Sequence, residues 1–256
     1  MKLACQTRVR RIGQTHHGTV HIHLARPDPN SPFPLTLHPL ERQRMQHFKF
    51  ANDRWLYGAA RTFLRQTLSL HAPLPPSAWQ FNTNPYGKPF ITNPGYEWLQ
   101  FNLSHTPGLV ACAVSEGQVI GVDVERLHPL DDLEALCSSV FAPLETQAVL
   151  AACTQHEREQ RFFTYWTLKE AYIKARGLGI PALQQFAFQA TRNGGWQLHC
   201  SPALQDAGHD WHFLSMPIGT EHYLGMAVYT NTRVLLAAQD QQPMMRTPAI
   251  SQENTQ

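Results

Sequence analysis

The chain has 256 residues, of which 43% are hydrophobic and 16% are charged, a balance typical of a folded globular protein and not of a disordered one. Its formal net charge is only +2, which argues against bulk binding of nucleic acid through a basic face. No run of about 18 apolar residues occurs, so the sequence predicts no membrane-spanning helix and no membrane partner.

The cysteines and histidines are scattered along the chain. The five cysteines include no Cys-x-x-Cys pair, which argues against a disulfide framework or a structural zinc site and favours reduced thiols in a cytoplasmic protein. Leu3-Ala4-Cys5 is similar to a lipoprotein cleavage site, but no apolar run precedes it, so we do not interpret it as a signal. The 14 histidines favour a bulk change of charge near about pH 6 over one metal cluster.

The first half of the chain is predicted to contain a strand, a long helix and further strands. A basic arm over residues 1–19 precedes an alternating strand pattern over residues 20–24. His21 and His23 would share one strand face, but no third ligand lies nearby in sequence, so an ordinary exposed or edge strand is favoured over a metal site. A Pro-rich loop (26–39), a helix (40–70), loops with prolines (71–79 and 82–89) and two buried strands (101–105 and 109–115) follow.

The second half repeats this order. A strand over residues 119–125 is followed by short helices within residues 131–155 and by an amphipathic helix from about 157 to 176, which Gly177 and Gly179 end. Strands are predicted over residues 186–190, 196–200, 211–216 and 223–229, and a polar, disordered tail over 238–256. The repeated order indicates two α+β halves of similar plan, residues 1–118 and 119–237.

Two segments carry acidic residues at spacings that suit a catalytic or metal-binding site. Asp123 and Glu125 fall on one face of their strand, about 7 Å apart, and two neighbouring acids repel each other unless a cation lies between them. Oxygen ligands favour Mg²⁺ over zinc, although a solvated edge strand explains the acids equally well. In the amphipathic helix, Trp166, Glu170 and Lys174 lie one turn apart on one face, where a simple Glu170–Lys174 surface pair is the alternative.

Four motifs occur in an order that resembles a known family. They are Gly87-Lys88-Pro89, Phe101-Asn102-Leu103-Ser104-His105, Gly121-Val122-Asp123-Val124-Glu125 and Trp166-Thr167-Leu168-Lys169-Glu170-Ala171 with Lys174, Gly177 and Gly179. Together with Arg42 to Arg44, Phe48, Asp53 and Arg65, they resemble the surfactin-type 4'-phosphopantetheinyl transferases over roughly residues 20–230.

The resemblance implies a fold and a reaction. The family fold consists of two similar α+β halves related by a pseudo-twofold axis, each a small antiparallel sheet packed on a long helix, with the active site in the cleft between them. The family moves the phosphopantetheine arm of coenzyme A to a serine of an apo acyl- or peptidyl-carrier protein and releases 3',5'-ADP. We therefore expect coenzyme A, Mg²⁺ and a carrier protein as partners of a monomeric enzyme, because two halves in one chain would replace a dimer.

The resemblance also implies roles for individual residues. Asp123, Glu125 and Glu170 are similar to the family's metal ligands, and Glu170, Lys174 and His105 to its catalytic residues, with Glu170 accepting the serine proton directly or through water. The residues similar to coenzyme A contacts are Arg42, Arg44, Gly87, Lys88, Pro89, Ser104, His105 and Lys174. This chain has Glu41 where some relatives have a lysine three residues before Arg44, and Arg42 is the candidate to compensate for it. Asn102 is expected to be either a strand cap or a ligand.

Two other functions are alternatives to the transferase. A nuclease or pyrophosphohydrolase could use the same three acids, but this class explains neither Gly87-Lys88-Pro89 nor Ser104-His105. A catalytically silent module that binds carrier proteins would be expected to have lost one of the acids, and this chain keeps all three and Lys174.

Overall fold

The computed structural model describes residues 18–30, 36–206, 208–230 and 234–241. The first half contains β1 (Gly18–Ala25), α1 (Pro39–Gln46), α2 (Ala51–His71), β2 (Phe81–Thr83), β3 (Pro89–Ile91), β4 (Leu99–Thr106) and β5 (Leu109–Glu116). The second half contains β6 (Val119–Arg126), α3 (Leu133–Val140), α4 (Pro143–Leu150), α5 (Gln155–Arg176), β7 (Phe186–Ala190), β8 (Trp196–Cys200), β9 (Trp211–Ile218), β10 (His222–Tyr229) and β11 (Val234–Gln241).

The strands form two main sheets whose order repeats. One sheet has the order β11-β1-β5-β4 and the other the order β6-β10-β9. In the first sheet β1 pairs antiparallel with β5, which pairs with β4. In the second sheet β6 pairs antiparallel with β10, which pairs with β9. A hairpin follows the long helix of each half, β2-β3 after α2 and β7-β8 after α5. This repetition confirms the predicted α+β class with two similar halves, and β11 adds a parallel strand beside β1.

Three apolar clusters hold these layers together. One cluster packs α2 on β4 and β5, and another packs α5 against the strands of the second half. The third lies between the two main sheets, where alternate residues of β1 meet alternate residues of β6: Val20, Ile22, Leu24, Ile120, Val122 and Val124. Because successive side chains of a strand point to opposite faces, this packing directs Asp123 and Glu125 to the other face of β6, as the sequence predicts.

Two predicted elements need correction. The helix expected over residues 40–70 is two helices, because the chain leaves helical geometry before Phe50, which is extended at φ −97° and ψ 143°, and Arg54 donates to the carbonyl of Phe48 at 2.8 Å within this turn. The predicted tail begins too early, because residues 238–241 belong to β11 and pair with β1. The rest of that tail and most of the predicted N-terminal arm lie outside the described residues.

Two further observations concern the cysteines and the helices of the described residues. Cys112, Cys137, Cys153 and Cys200 are free thiols. No helix in the described ranges has both the length and the apolar character that crossing a bilayer requires.

Candidate active site

Two glycines allow α5 to lie directly on the second sheet. A Cβ atom at Gly121 of β6 would lie 2.0 Å from the carbonyl oxygen of Ala171, and one at Gly225 of β10 would lie 2.3 Å from the backbone of Thr167. Both distances are far below van der Waals contact, so only glycine permits this approach. The close approach places the Trp166, Glu170 and Lys174 face of α5 beside Asp123 and Glu125.

The helix and the strand are joined by a short ladder of polar contacts. Trp166 donates from Nε1 to Glu125 Oε1 at 3.1 Å, and Lys174 donates from Nζ to Asp123 Oδ1 at 2.5 Å. Glu170 lies between these two contacts, one turn from each, and its carboxylate accepts no hydrogen bond from the described residues. The alternative of a Glu170–Lys174 surface pair is therefore wrong, because Lys174 forms a tertiary pair with Asp123.

Burial and neighbouring charges shift the pKa values of Glu170, Glu125 and Lys174. Burial raises the pKa of Glu170 to about 7, and the charges of Asp123 and Glu125 add to this effect while Lys174 opposes it. Burial and Asp123 also raise the pKa of Glu125. Burial alone would lower the pKa of Lys174, but Asp123, Glu170 and Glu125 together raise it above its ordinary value. The site thus concentrates negative charge that a cation would relieve.

One carboxylate oxygen of Asp123 has no hydrogen-bond partner among the described residues. The residue is 2% exposed, Lys174 pairs with its Oδ1 atom, and its Oδ2 atom is the buried oxygen without a partner. The three acids do not form a closed cage, however. Within the described ranges, the only group of three His, Cys, Asp or Glu side chains close enough to hold a metal ion is a histidine group. Here Lys174 and Ser104 occupy the Oδ1 side of Asp123.

Side chains of β4 join the first sheet to β6 at this site. Asn102, Ser104 and Thr106 each accept a hydrogen bond from a backbone amide of β6, at 2.8, 3.3 and 3.3 Å. Ser104 also donates to Asp123 Oδ1 at 2.8 Å and accepts from Lys174 at 3.1 Å. Asn102 is therefore a cap for the edge of β6, which resolves the choice that the sequence left open.

His105 is an exposed residue of β4 that follows Ser104 and shares a strand face with Phe101 and Leu103. Partial burial of its ring lowers the pKa of His105, and the nearby Lys174 ammonium lowers it further, whereas the carboxylates of Asp123 and Asp53 act in the opposite direction. The imidazole is thus within electrostatic reach of the Lys174–Asp123 pair and also of the first turn of α2, which contains Asp53.

The Gly87-Lys88-Pro89 motif joins the first half to the end of α5. Gly87 adopts a φ of +85°, which favours glycine, and Asn84 accepts the amide of Lys88 at 2.8 Å. The Lys88 ammonium donates to the carbonyls of Ala175 at 2.7 Å and Ile120 at 3.3 Å, and burial lowers the pKa of Lys88 to about 8. Pro89 begins β3. The structure therefore places Lys88 on main-chain carbonyls of the second half.

The two arginines of the first helix have different surroundings. Arg44 lines a cavity of about 650 Å³ between α1 and β2, together with Leu40, Gln43, His47, Phe48, Phe81, Asn82 and Thr83. Arg42 donates from Nε to the carbonyl of Leu37 at 3.4 Å. Glu41 is buried and pairs with Arg61 at 2.7 Å and Arg65 at 2.9 Å, so this acid helps to hold α1 on α2.

Lys169 shows that one residue of the fourth motif is part of the core. Its side chain and that of Glu145 are 0% exposed and form an ion pair at 2.7 Å, and Lys169 also donates to the carbonyl of Phe186 at 2.7 Å. A buried ion pair of this kind is costly to break. It fixes α5 relative to α4 and β7.

The predicted residues thus fall into three places. Asp123, Glu125, Glu170, Lys174, Ser104 and His105 surround one site on α5, β4 and β6. Gly87, Lys88 and Pro89 lie at the C-terminal end of α5, and Arg44 lines the cavity beside α1. The roles of Asn102, Thr106 and Glu41 could not be assigned from local pattern, because each depends on a strand or helix that only the tertiary fold brings near.

Both halves of the chain are similar to known protein families. A model of the 4'-phosphopantetheinyl transferase superfamily matches residues 119–227, and a model described as 4'-phosphopantetheinyl transferase, N-terminal, matches residues 31–117. The chain is 36% identical to the 4'-phosphopantetheinyl transferase HetI of Nostoc sp. over 169 residues, which are 66% of this chain and 71% of that protein. It is 29% identical to the 4'-phosphopantetheinyl transferase Sfp of Bacillus subtilis over 177 residues, which are 68% and 76% of the two chains. It is 27% identical to a phosphopantetheinyl transferase of Thraustochytrium sp. over 199 residues, or 73% and 68%.

Proposed function

Because this chain belongs to the 4'-phosphopantetheinyl transferase superfamily, we propose that it transfers the phosphopantetheine arm of coenzyme A to a serine of an apo acyl- or peptidyl-carrier protein in an Mg²⁺-dependent reaction. The observation that carries the proposal is the site in which Asp123, Glu125 and Glu170 lie beside Lys174. The serine oxygen forms a bond to the phosphorus that carries pantetheine, the pyrophosphate bond breaks, and 3',5'-ADP leaves.

The acids fit a magnesium ion. Asp123 has a buried oxygen without a hydrogen-bond partner among the described residues, and the charges of Asp123 and Glu125 raise the pKa of Glu170. Mg²⁺ is usually held by one or two carboxylates, waters and substrate phosphates, so it does not require a closed cage of three acids. Asp123, Glu125 and Glu170 would hold the ion, which would neutralise charge on the pyrophosphate.

We assign to Glu170 the role of accepting the proton of the attacking serine. Without a metal ion, burial raises the pKa of Glu170 to about 7. A bound Mg²⁺ would lower that pKa, so the carboxylate would be ionised at neutral pH and could act as a general base. Its carboxylate accepts no hydrogen bond from the described residues, so it is available to the serine hydroxyl directly or through water. Trp166 holds Glu125 at 3.1 Å and so orients the neighbouring acid.

Lys174, His105 and Ser104 form the polar side of the site that would face the phosphates. The pKa of Lys174 lies above its ordinary value because of the acids around it, so its ammonium is charged at neutral pH and can meet a phosphate oxygen. Ser104 and His105 lie at the end of β4 beside this ammonium. Their donors would stabilise the developing charge of the leaving ADP.

The nucleotide part of coenzyme A would lie on the first half. The cavity of about 650 Å³ beside Arg44 is within the usual range for small-molecule sites, about 300–1,000 Å³. Arg44 supplies a cation for the 3'-phosphate, and Phe48 and Phe81 supply apolar walls. Arg42 is a second candidate cation on α1. The segment with Gly87, Lys88 and Pro89 follows β2 in the chain, and β2 lines this cavity.

The test is a transfer assay with purified protein, coenzyme A, Mg²⁺ and a panel of apo-carrier proteins. We expect the mass of a carrier to rise by one phosphopantetheine and an equal amount of 3',5'-ADP to appear, and both to stop when a chelator removes the metal ion. Asp123→Asn should abolish transfer, whereas Asp131→Asn, at an exposed acid outside the site, should not. An unmodified carrier panel under saturating Mg²⁺ and coenzyme A would contradict the proposal, and so would an active Asp123→Asn variant. We expect one copy of the chain to suffice, since both sides of the site come from the same chain.

A further inference from the structure

Three histidines meet on the face of the first sheet that α2 covers. His21 and His23 lie on one face of β1, opposite the face with Val20 and Ile22. His71, the last residue of α2, completes the group. The sequence favoured an exposed or edge strand here because no third ligand lies nearby in sequence, and His71 is indeed 48 residues from His23. The edge interpretation is wrong, because β1 pairs with both β5 and β11 and His23 is buried.

The geometry of this histidine cluster is compact. The Nε2 atoms of His23 and His71 are 2.8 Å apart, and the ring of His71 lies 4.8 Å from that of His21 and 5.0 Å from that of His23, between ring centroids. One nitrogen of each imidazole lies within 4.8 Å of one nitrogen of each of the others, and these are the only three such side chains among the described residues that form a candidate metal group. His23 is buried, and His21 and His71 are half-buried, so the cluster is open to solvent on one side.

The chemistry of the cluster suits a transition metal. Three imidazole nitrogens are ligands for zinc, copper or nickel and are poor ligands for magnesium. Burial lowers the pKa of His71 and of His23 to about 4, with the neighbouring rings adding to the effect, and neutral imidazole is the form that binds metals. The carboxylate of Glu116 lies close enough to His21 to oppose the lowering of its pKa, so negative charge is also near the cluster.

We propose that His21, His23 and His71 form a zinc-binding site that joins β1 to the C-terminal end of α2. Three protein nitrogens would bind the ion, and water or a carboxylate would take the fourth position. Zinc–nitrogen bonds of about 2.0–2.1 Å in a tetrahedron require nitrogens about 3.3 Å apart, so the His23 and His71 nitrogens move apart by about half an ångström on binding. The site is separate from the acids on β6 and α5 and does not depend on the proposed transfer reaction.

The test is zinc binding to the full chain after removal of metals with a chelator. Titration calorimetry with zinc sulfate should give one tight site per chain, and cobalt chloride should give the absorption of a tetrahedral nitrogen site. His71→Gln removes a ligand and should weaken this site at least about 100-fold, since even loss of a supporting group around a metal costs about 10–100-fold. The matched control is His199→Gln, which removes an exposed imidazole of β8.

Several outcomes decide the proposal. Loss of the site in His71→Gln with retention in His199→Gln supports it, whereas equal binding by all three proteins, or no binding at micromolar zinc, overturns it. If His71→Gln does not fold, as judged by circular dichroism, the same comparison is made with His21→Gln at the half-buried position. Asp123→Asn should bind zinc like wild type and excess Mg²⁺ should not compete, so failure of the transfer reaction and failure of the zinc site are separate results.

Discussion

Replacement of Glu170 by glutamine should make the protein more stable at alkaline pH while it removes activity. The folded protein raises the pKa of this carboxyl from 4.5 to about 7, first by burial and then through Asp123 and Glu125. Between pH 4.5 and about pH 7, the folded state therefore retains a proton on Glu170 that the unfolded state has released. The stability this proton confers is complete below about pH 4.5 and is lost as the pH rises through about 7. Glutamine carries no charge and does not lose that stability.

The size of the effect follows from the pKa. A pKa shift of one unit corresponds to about 1.4 kcal/mol, so the change from 4.5 to about 7 sets an upper limit of roughly 3.5 kcal/mol. Because Glu170 is partly exposed and its neighbours can relax, we expect Glu170→Gln to raise the free energy of unfolding by about 1–2 kcal/mol at pH 8. At pH 5 the difference should fall below about 1 kcal/mol, because wild-type Glu170 is then protonated in the folded state.

The assay is urea unfolding of wild type, Glu170→Gln and the control Asp131→Asn at both pH values, with a chelator and then with Mg²⁺. Mg²⁺ should stabilise wild type and have little effect on Glu170→Gln, because the variant lacks one of the proposed ligands. In the transfer assay, kcat/KM of wild type should rise with increasing pH and level off at or below about pH 7. Glu170→Gln should show no transfer. A variant that is less stable than wild type at pH 8 would refute the electrostatic reasoning, even if its activity is lost.

The remaining predictions concern packing around the site. Gly121→Ala should lower the free energy of unfolding by at least about 2 kcal/mol, because its Cβ would overlap α5, whereas Gly179→Ala, which meets only ordinary contacts, should change it by less than about 1 kcal/mol; urea unfolding measures both. Lys169→Met should cost about 3–5 kcal/mol in the same experiment, because it leaves the buried Glu145 carboxylate unpaired. Asn84→Ala removes the acceptor that shapes the Lys88 loop and should raise KM for coenzyme A several-fold with a smaller change in kcat, measured by initial rates.

The long elements could be predicted because their side chains repeat with the period of the backbone. Alternation over β6 identified both the buried valines and the outward acids, and the pattern of α5 placed Trp166, Glu170 and Lys174 on one face. The break between α1 and α2 was missed, since residues 40–70 remain apolar at helical spacing across it. The buried pairs of Glu41 with Arg61 and Arg65 help to fix α1 against α2, and ion pairs between distant residues leave no periodic signal.

The histidine cluster shows the same limit at a candidate site. Alternation predicted that His21 and His23 share a face, and this is how β1 presents them. The third member, His71, is outside any local window, because it reaches β1 only when α2 packs across the sheet. Ligands that come together only through packing can be recognised once the order of the layers is known. Asp123 and Glu125 on one strand, and Glu170 and Lys174 on one helix, can be recognised as neighbours from their spacing in the sequence.

Ser104 shows how the sequence motif of β4 contributes both to the joining of the two sheets and to the candidate active site. β6 and β4 are edge strands of different sheets, and their backbones are not paired with each other. The side chains of Asn102, Ser104 and Thr106 satisfy three amides of β6 instead. These hydrogen bonds connect the two strand edges without backbone pairing between them. Asp123 and Lys174 lie beside these contacts. Ser104 therefore positions the acids and holds the two halves together, so replacement by alanine should disturb the seam and the Asp123 carboxylate at once. Threonine, which keeps the hydroxyl, should preserve both.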